Sequence, residues 1–597
     1  MSTDKGPNAV RAPRMAVKPV GVTRVIGPAY HGGIAHPGAR SVGLTLRVGP
    51  DTLDGMSAGD QDETRTGGEW VVAALAAEGV RHVFGIPGIH NLAIYDALLR
   101  QSTITHVLAR HEQGAAFMAD GYARASGRPG VVLVTTGPGA TNALTPLVEA
   151  FSASQPILLL MSDVPSAVLG RGLGALHEVP DQINCFRPVS RWAETLRAGG
   201  EIPGAVQGAF HLFRTGRPGP IALSVPTDFL GGPVVGRLTV PGAGRRPPCD
   251  VRLVEAAADR LRVAERPLVV AGGGVVAAEA GAELAGLARR LGAPVITTVM
   301  GRGIFPEADP LWLGVLPNKR TTQAALEAAD VVLAVGCRFA HRSTKGLLDL
   351  TFRPDQTLIH LDLDPAVIGR MYPPAVALVG DARDGLGGLL AALGPGQPAG
   401  EWDREWLAAR RAARSPRYTE EIDRFLRTLR GGLAPDAIVV SDQAGINYWM
   451  EWHFPVQGPR TFLYPVGSAT LGYAAPAAIG AKVAYPERQV VAVAGDGGFL
   501  FSVSELATAV KYRLPVVFLI VNDERFGAIK WLQEAIFGRW GETDLVNPDF
   551  PALARAFGAA GERVMDLEGL GPALDKALVT PGPTLLDCRG SCSWPGS

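Results

Sequence analysis

The sequence predicts an α/β protein made of three doubly wound parallel-sheet domains. Three observations carry this. Short, continuous apolar runs alternate with stretches of helical periodicity from Gly67 onward, and fully apolar runs of strand length suit strands buried on both faces. Two Pro/Gly-rich segments, VPGAGRRPPCD (240–250) and LGPGQPAGEW (393–402), interrupt the alternation and read as linkers. The repetition is of whole α/β blocks, with no short-period repeat, which argues for separate layered domains rather than a solenoid. The expected blocks are 63–238, 250–392 and 405–590, after an N-terminal stretch at 1–62.

The N-terminal stretch is rich in Gly, Pro and Arg, and has no acidic residue between Asp4 and Asp51. It lacks both helical and strand periodicity. A disordered extension, a start assigned upstream of Met56 and a transit peptide are the three readings. The first block then runs HVFGIPG, a helix over Leu92–Leu99, ITHVLA, a helix over Ala115–Ala125, GVVLVTTGPG and PILLLMS. The second carries PLVVAGGG, PVITTVM, DVVLAVGCRF and TLIHLDLD. The third opens after a helical stretch at IVVSDQAG.

Composition narrows the function classes. The 57 basic and 57 acidic residues balance, so nothing points to nucleic acid or an anionic membrane. No apolar run reaches the ~20 residues that span a bilayer. Cys185, Cys249, Cys337, Cys588 and Cys592 show no paired zinc spacing, and reduced thiols in a cytoplasmic protein are the expectation.

The third block holds the first chemical signal. QVVAVAG (489–495) reads as a buried strand, GDGG breaks it, a helix follows over Ser504–Val510, Pro515 stops that helix, and VVFLIV (516–521) is a second buried strand ending at Asn522-Asp523. In a parallel β-α-β unit both strand ends open on one edge. Asp496 and Asp523 are therefore expected side by side, forming an oxygen-lined site suited to Mg²⁺ or Ca²⁺. The glycines are expected to allow positive φ and to leave N–H groups for a phosphate.

This arrangement resembles the diphosphate-anchoring motif of thiamine diphosphate enzymes. The resemblance to the acetolactate synthase-like members extends from about residue 65 to 590 and names the three blocks as pyrimidine-binding, central and diphosphate-binding domains. It implies Mg²⁺ held by Asp496, Asp523 and the carbonyl of Arg525, with Gly495, Gly497, Gly498, Phe526 and Gly527 around the cofactor. Asp523 stands where the family usually has Asn, and Asn522 is the alternative ligand if the register shifts by one.

Further residues follow from the same resemblance. Glu112, in RHEQGAA…GYARA, matches the glutamate that hydrogen-bonds the aminopyrimidine and promotes ionisation of the thiazolium C2. Pro87, Gly137, Pro138 and Asn142 match the cofactor-lining loops. Gly445, Ile446 and Asn447 match the stretch whose backbone holds the diphosphate, and Ser468 lies in the phrase that carries Leu471, the apolar wedge that bends the cofactor. His90, in GIPGIHNL, departs from the small residue usual in acetolactate synthases and resembles the proton-shuttling histidine of benzaldehyde lyase and some 2-oxo acid decarboxylases. His177, in GALHEVPDQ, stands where the synthases often have Gln, and with GRGLG before it resembles guanidino-oxo-acid decarboxylases. Trp531 lies one residue from the synthases' specificity tryptophan.

The central block leaves FAD open. AGGG (271–274), TTVMG (297–301), GCRFAHR (336–342), HLDLDP (360–365) and Gly380-Asp381 resemble flavin-binding positions, yet LGVLPNK (313–319) lacks the histidine of the synthases' phrase. The resemblance thus implies a thiamine diphosphate- and Mg²⁺-dependent decarboxylation of a 2-oxo acid with carboligation to an aldehyde or ketone acceptor, in a homodimer or dimer of dimers. A simple 2-oxo acid decarboxylase, a benzaldehyde lyase-like enzyme and a pyruvate oxidase-like flavoenzyme are the alternatives. A non-catalytic scaffold is disfavoured by the intact Glu112 and acidic pair.

Overall fold

Three six-stranded parallel sheets organise the chain in a computed structural model that describes residues 63–590, apart from 240, 241, 243, 341–351, 397–399, 401 and 416. The expected N-terminal extension, Cys592, His341, Arg342 and parts of both linkers lie outside the described residues.

Each apolar run named above forms a strand, and each strand centre is buried on both faces: Val131–Val134, Val269–Ala271 and Val490–Ala494 are all essentially inaccessible. The reason is the layering. Helices cover both sides of every sheet, so a strand has no wet face and no use for alternating polarity.

The first and third sheets share one topology. Numbered in chain order, the first contains His82–Gly85, Thr105–Leu108, Gly130–Val134, Ile157–Asp163, Trp192–Thr195 and Ile221–Pro226. The third contains Ile438–Ser441, Phe462–Leu463, Val490–Gly495, Val516–Val521, Ala560–Val564 and Thr584–Cys588. Both have the spatial order 2-1-3-4-6-5. The central sheet, Pro267–Ala271, Val295–Thr298, Trp312–Leu316, Val331–Val335, Thr357–Asp362 and Val376–Val379, has the order 3-2-1-4-5-6 of dinucleotide-binding sheets. A separate antiparallel pair joins Glu63–Thr66 to Pro233–Gly236 and closes the first block.

The outer blocks meet helix to helix. The helix Glu112–Ser126 crosses Ala474–Ala484, and both contribute to one continuous core. The backbones touch: a Cβ on Gly121 would lie 2.1 Å from the carbonyl oxygen of Ala477, and one on Gly480 would lie 1.8 Å from that of Met118. Only glycine permits this reciprocal approach.

Candidate active site at two switch points

Parallel sheets bind ligands where the strand order reverses, beyond the strand C-termini. In the first sheet that point lies between His82–Gly85 and Gly130–Val134. In the third it lies between Ile438–Ser441 and Val490–Gly495. The site residues read from the sequence gather at these two places.

At the first point, the loop Ile86–Asn91 is pinned by Asn91, whose Oδ1 accepts from the Gly88 N–H at 2.8 Å and whose Nδ2 donates to the Ile86 carbonyl at 3.3 Å. Pro87 and His90 are carried on this loop. The facing turn is held at Gly137, which takes φ 65° and donates its N–H to Gln182 Oε1 at 2.7 Å. Pro138–Asn142 then forms a short helix. Glu112 is the first residue of its helix, and its Oε2 accepts from Asn142 Nδ2 at 2.9 Å. Gly139 faces the other carboxylate oxygen: a Cβ there would lie 3.3 Å from Oε1.

His90 and His177, far apart in sequence, meet edge to face with ring centroids 5.5 Å apart. His177 adopts φ 64°, and its Nδ1 faces the Thr136 carbonyl at 3.3 Å. His90 Nδ1 is buried with no hydrogen-bond partner. Burial, and then the neighbouring His177, lower the proton affinity of His90, which favours its neutral imidazole.

At the second point, the helix Gly445–His453 begins without a side-chain cap, so its first N–H groups have no side-chain partner there. Asn447 turns inward instead and donates to Ser441 Oγ at 2.5 Å and to the Val493 carbonyl at 3.0 Å. Ser468 spends both its N–H and its hydroxyl on Glu149 of the first block, at 2.7 and 2.9 Å. The side chain of Leu471 approaches Gly498, where a Cβ would lie 3.6 Å from its Cδ2.

The glycines around Asp496 differ from expectation. Gly495 has φ −76°, and Asp496–Leu500 is a short helix, so the stretch needs no left-handed backbone. The glycine requirement is spatial: a Cβ on Gly497 would lie 2.5 Å from the Phe526 ring. The helix expected over Ser504–Val510 begins as a 3₁₀ turn, Val503–Glu505, and continues as Leu506–Lys511.

Asp496 and Asp523 do end adjacent strands, with Gly495 in register with Val521. Burial first, and the charge of Asp496 second, push the Asp523 carboxyl up to about 7. Asp496 is also raised, by burial. A carboxylate pair with Asp496 buried, Asp523 partly so and this repulsion between them fits a divalent cation, which would relieve both effects. Among the described residues no cluster of three or more acidic, His or Cys side chains is assembled, so carbonyl, phosphate and water oxygens would complete such a shell. Gly527 leaves room for Asp523, since a Cβ there would lie 2.5 Å from Oδ2. The Arg525 side chain donates to the Asp523 carbonyl at 2.9 Å.

Two residues at this point escaped sequence reading. Asn547 donates to Asp496 Oδ2 at 2.6 Å and to Asn522 Oδ1 at 3.1 Å, tying the two strand ends together. Asp442, pushed up to about 6 by burial, accepts from the N–H groups of Gln443 and Ala474 and so ties Leu471's segment to its strand. A strand-end Asp in SDQAG was a usable signal for Asp442. For Asn547 there was none, because its partners lie 25 and 51 residues away.

The five phrases of the central block line one cavity of about 1600 Å³. Gly273, Gly274, Met300, Arg338, Asp362 and Asp381 are on its wall, together with Arg124 and Arg460 from the outer blocks. It opens at the central sheet's own switch point, where Gly336 follows Val331–Val335 beside Gly272.

The fold and this pair of switch-point sites belong to a known class: the chain is a member of the thiamine pyrophosphate enzyme family, and it is a thiamine diphosphate-dependent enzyme of the acetolactate synthase/2-oxo acid decarboxylase group. Residues 65–185 match the thiamine pyrophosphate enzyme N-terminal TPP binding domain, 254–389 the central domain and 443–588 the C-terminal TPP binding domain. Among its relatives, a probable 2-ketoarginine decarboxylase of Pseudomonas aeruginosa is 40% identical over 89% of this chain and 95% of its own. A probable acetolactate synthase large subunit of Methanocaldococcus jannaschii is 36% identical over 87% of this chain and 91% of its own, and the acetolactate synthase large subunit of Corynebacterium glutamicum is 36% identical over 92% and 90%. Among the described residues no helix is long and apolar enough to cross a membrane.

Proposed function

We propose that this protein decarboxylates a 2-oxo acid, with thiamine diphosphate held through Mg²⁺, and that a proton then takes the place of the lost CO₂. The observation that carries the last point is the His90–His177 pair beside the Gly137 turn. Bound thiamine diphosphate would supply the electron sink for loss of CO₂. Glu112, with Oε2 fixed by Asn142, would hold a proton at Oε1 for the aminopyrimidine ring. Asp496, Asp523 and the carbonyl of Arg525 would hold the ion, and the uncapped N–H groups of Gly445 and Ile446 would receive the diphosphate. Asn522 is the weaker candidate for the ion, because its side chain is already bonded to Asp587 and Asn547. The neutral His90 would accept and return protons at its unpartnered Nδ1, with His177 as its neighbour.

The P. aeruginosa relative makes a cationic 2-oxo acid the first substrate to test. Carboligation to a second carbonyl compound is the second reading, favoured by the acetolactate synthase relatives. Mass spectrometry of products from a panel of 2-oxo acids, with and without an acceptor aldehyde, separates them. An aldehyde product in both arms supports the first reading, whereas a hydroxyketone as the dominant product overturns it.

The central cavity is read as a flavin site on its strand order, its size and its wall of Gly273, Gly274 and Arg338. Purified protein that is yellow and releases FAD on denaturation supports this, and colourless protein that takes up no added FAD overturns it. Assembly is read as a homodimer or dimer of dimers. Large apolar side chains stand exposed on both outer blocks: Ile89, Leu92, Leu173 and Leu176 on the first, and Phe501, Ile529, Ile536 and Phe537 on the third. A second copy would cover them.

A further inference from the structure

Glu505 is fully buried, and none of the chemistry above uses it. It sits in the third block, nine residues after Asp496, yet its carboxylate reaches into the first block. Oε1 accepts from the backbone N–H of Arg110 at 3.1 Å and of His111 at 3.0 Å. Oε2 accepts from Arg110 N–H at 3.2 Å and from the Thr508 hydroxyl at 2.7 Å. These N–H groups belong to the two residues immediately before Glu112, at the mouth of its helix. His111 is the helix N-cap, and its own ring serves Gln113. The approach is tight: a Cβ on Gly114 would lie 2.1 Å from Glu505 Oε1, so the helix carries a glycine in its first turn to admit this carboxylate. Burial raises the carboxyl's proton affinity, and the hydrogen bonds from Thr508 and the two backbone N–H groups offset only part of that rise.

We propose that Glu505 is a positioning residue for Glu112. A carboxylate that fixes the peptides of Arg110 and His111 fixes where the helix starts, and therefore where its first side chain projects. Asn142 holds the end of that side chain, and Glu505 holds its root. The inference rests on Glu112 being the proton-handling group, and the test separates the two ideas.

The test uses holoenzyme loaded with thiamine diphosphate and Mg²⁺, and reads turnover together with exchange of the cofactor's C2 proton for deuterium. Glu505→Ala should lower both by about tenfold to a hundredfold, the scale of a misplaced reacting group, with KM little changed. Glu505→Gln should restore most of the loss, because the amide oxygen can accept from both backbone N–H groups while its NH₂ donates to Thr508. In a Glu112→Gln background, Glu505→Ala should change the exchange rate less than threefold, since a residue acting through Glu112 has nothing left to position. An equal loss in both backgrounds, or no loss in either, overturns the proposal. If Glu112→Gln itself exchanges at the parent rate, the reading of Glu112 has failed instead. Should Glu505→Ala not fold, as judged by circular dichroism, Thr508→Val replaces it in the same cycle, with a smaller loss and the same requirement that it vanish beside Glu112→Gln.

Discussion

At the scale of single residues, the acidic pair and Glu112 make opposite demands on the chain. In the proposed role Glu112 holds a proton in place, and its carboxylate is gripped on one oxygen by Asn142. Glu112→Gln keeps that shape without an acidic proton. Turnover should fall by two or more orders of magnitude while cofactor still binds, as followed by tryptophan fluorescence. Asp523 must lose its proton to hold a cation. Because burial and Asp496 push it up to about 7, a bound cation would compete with a proton below that pH. Mg²⁺ affinity measured by calorimetry should therefore weaken as pH falls from 7, by about tenfold per unit in the limit of one released proton. Asp523→Asn keeps an oxygen ligand without that proton and should flatten the dependence. Asp496→Ala and Asp523→Ala should both abolish Mg²⁺-dependent cofactor binding, and Asn522→Ala should cost less. A larger loss for Asn522→Ala than for Asp523→Ala would place the ligand one residue earlier.

At the scale of elements, the contact between the helices Glu112–Ser126 and Ala474–Ala484 decides how firmly Glu112's helix is seated. Its two glycines let each backbone lie against the other, and a new Cβ would meet a carbonyl, not a flexible side chain. Gly480→Ala should thus destabilise the protein by about 1–3 kcal/mol in urea unfolding, the cost of overpacking a rigid contact. An unchanged midpoint would show that these helices separate without cost. The same crossing carries the buried ion network in which Arg124 bonds Asp120 at 2.6 Å and Glu149 at 2.8 Å. Glu149 in turn holds Ser468, three residues before Leu471. The segment expected to shape the cofactor is therefore anchored in the neighbouring block.

At the scale of the molecule, the residues proposed to handle protons and those proposed to hold the cation lie at the strand ends of two sheets of identical strand order. If a second copy completes each site, Glu112 of one chain works with Asp496 and Asp523 of the other. Co-expressed Glu112→Gln and Asp496→Ala chains, each inactive alone, should then recover activity, because one cleft of the hybrid pairs two intact halves. Hybrids identified by native mass spectrometry but lacking turnover would mean that each chain builds its own site.

The sequence by itself determined the layers and the chemistry's vocabulary. Buried strands read as unbroken apolar runs because both faces are covered, and the adjacency of the strands leading to Asp496 and Asp523 was legible because local β-α-β order places strand ends on one edge, whereas Glu112 stood out only through the resemblance of the phrase around it. Contacts across long sequence separations belonged to the tertiary structure alone. It decided that His90 meets His177, that Asn547 ties Asp496 to Asn522, that five scattered phrases of the central block share a cavity, and that Glu505 reaches Arg110 across 395 residues. It also decided why Gly497, after Asp496, is a glycine: the ring of Phe526 takes up the space a side chain would need, a fact of packing that no local pattern encodes.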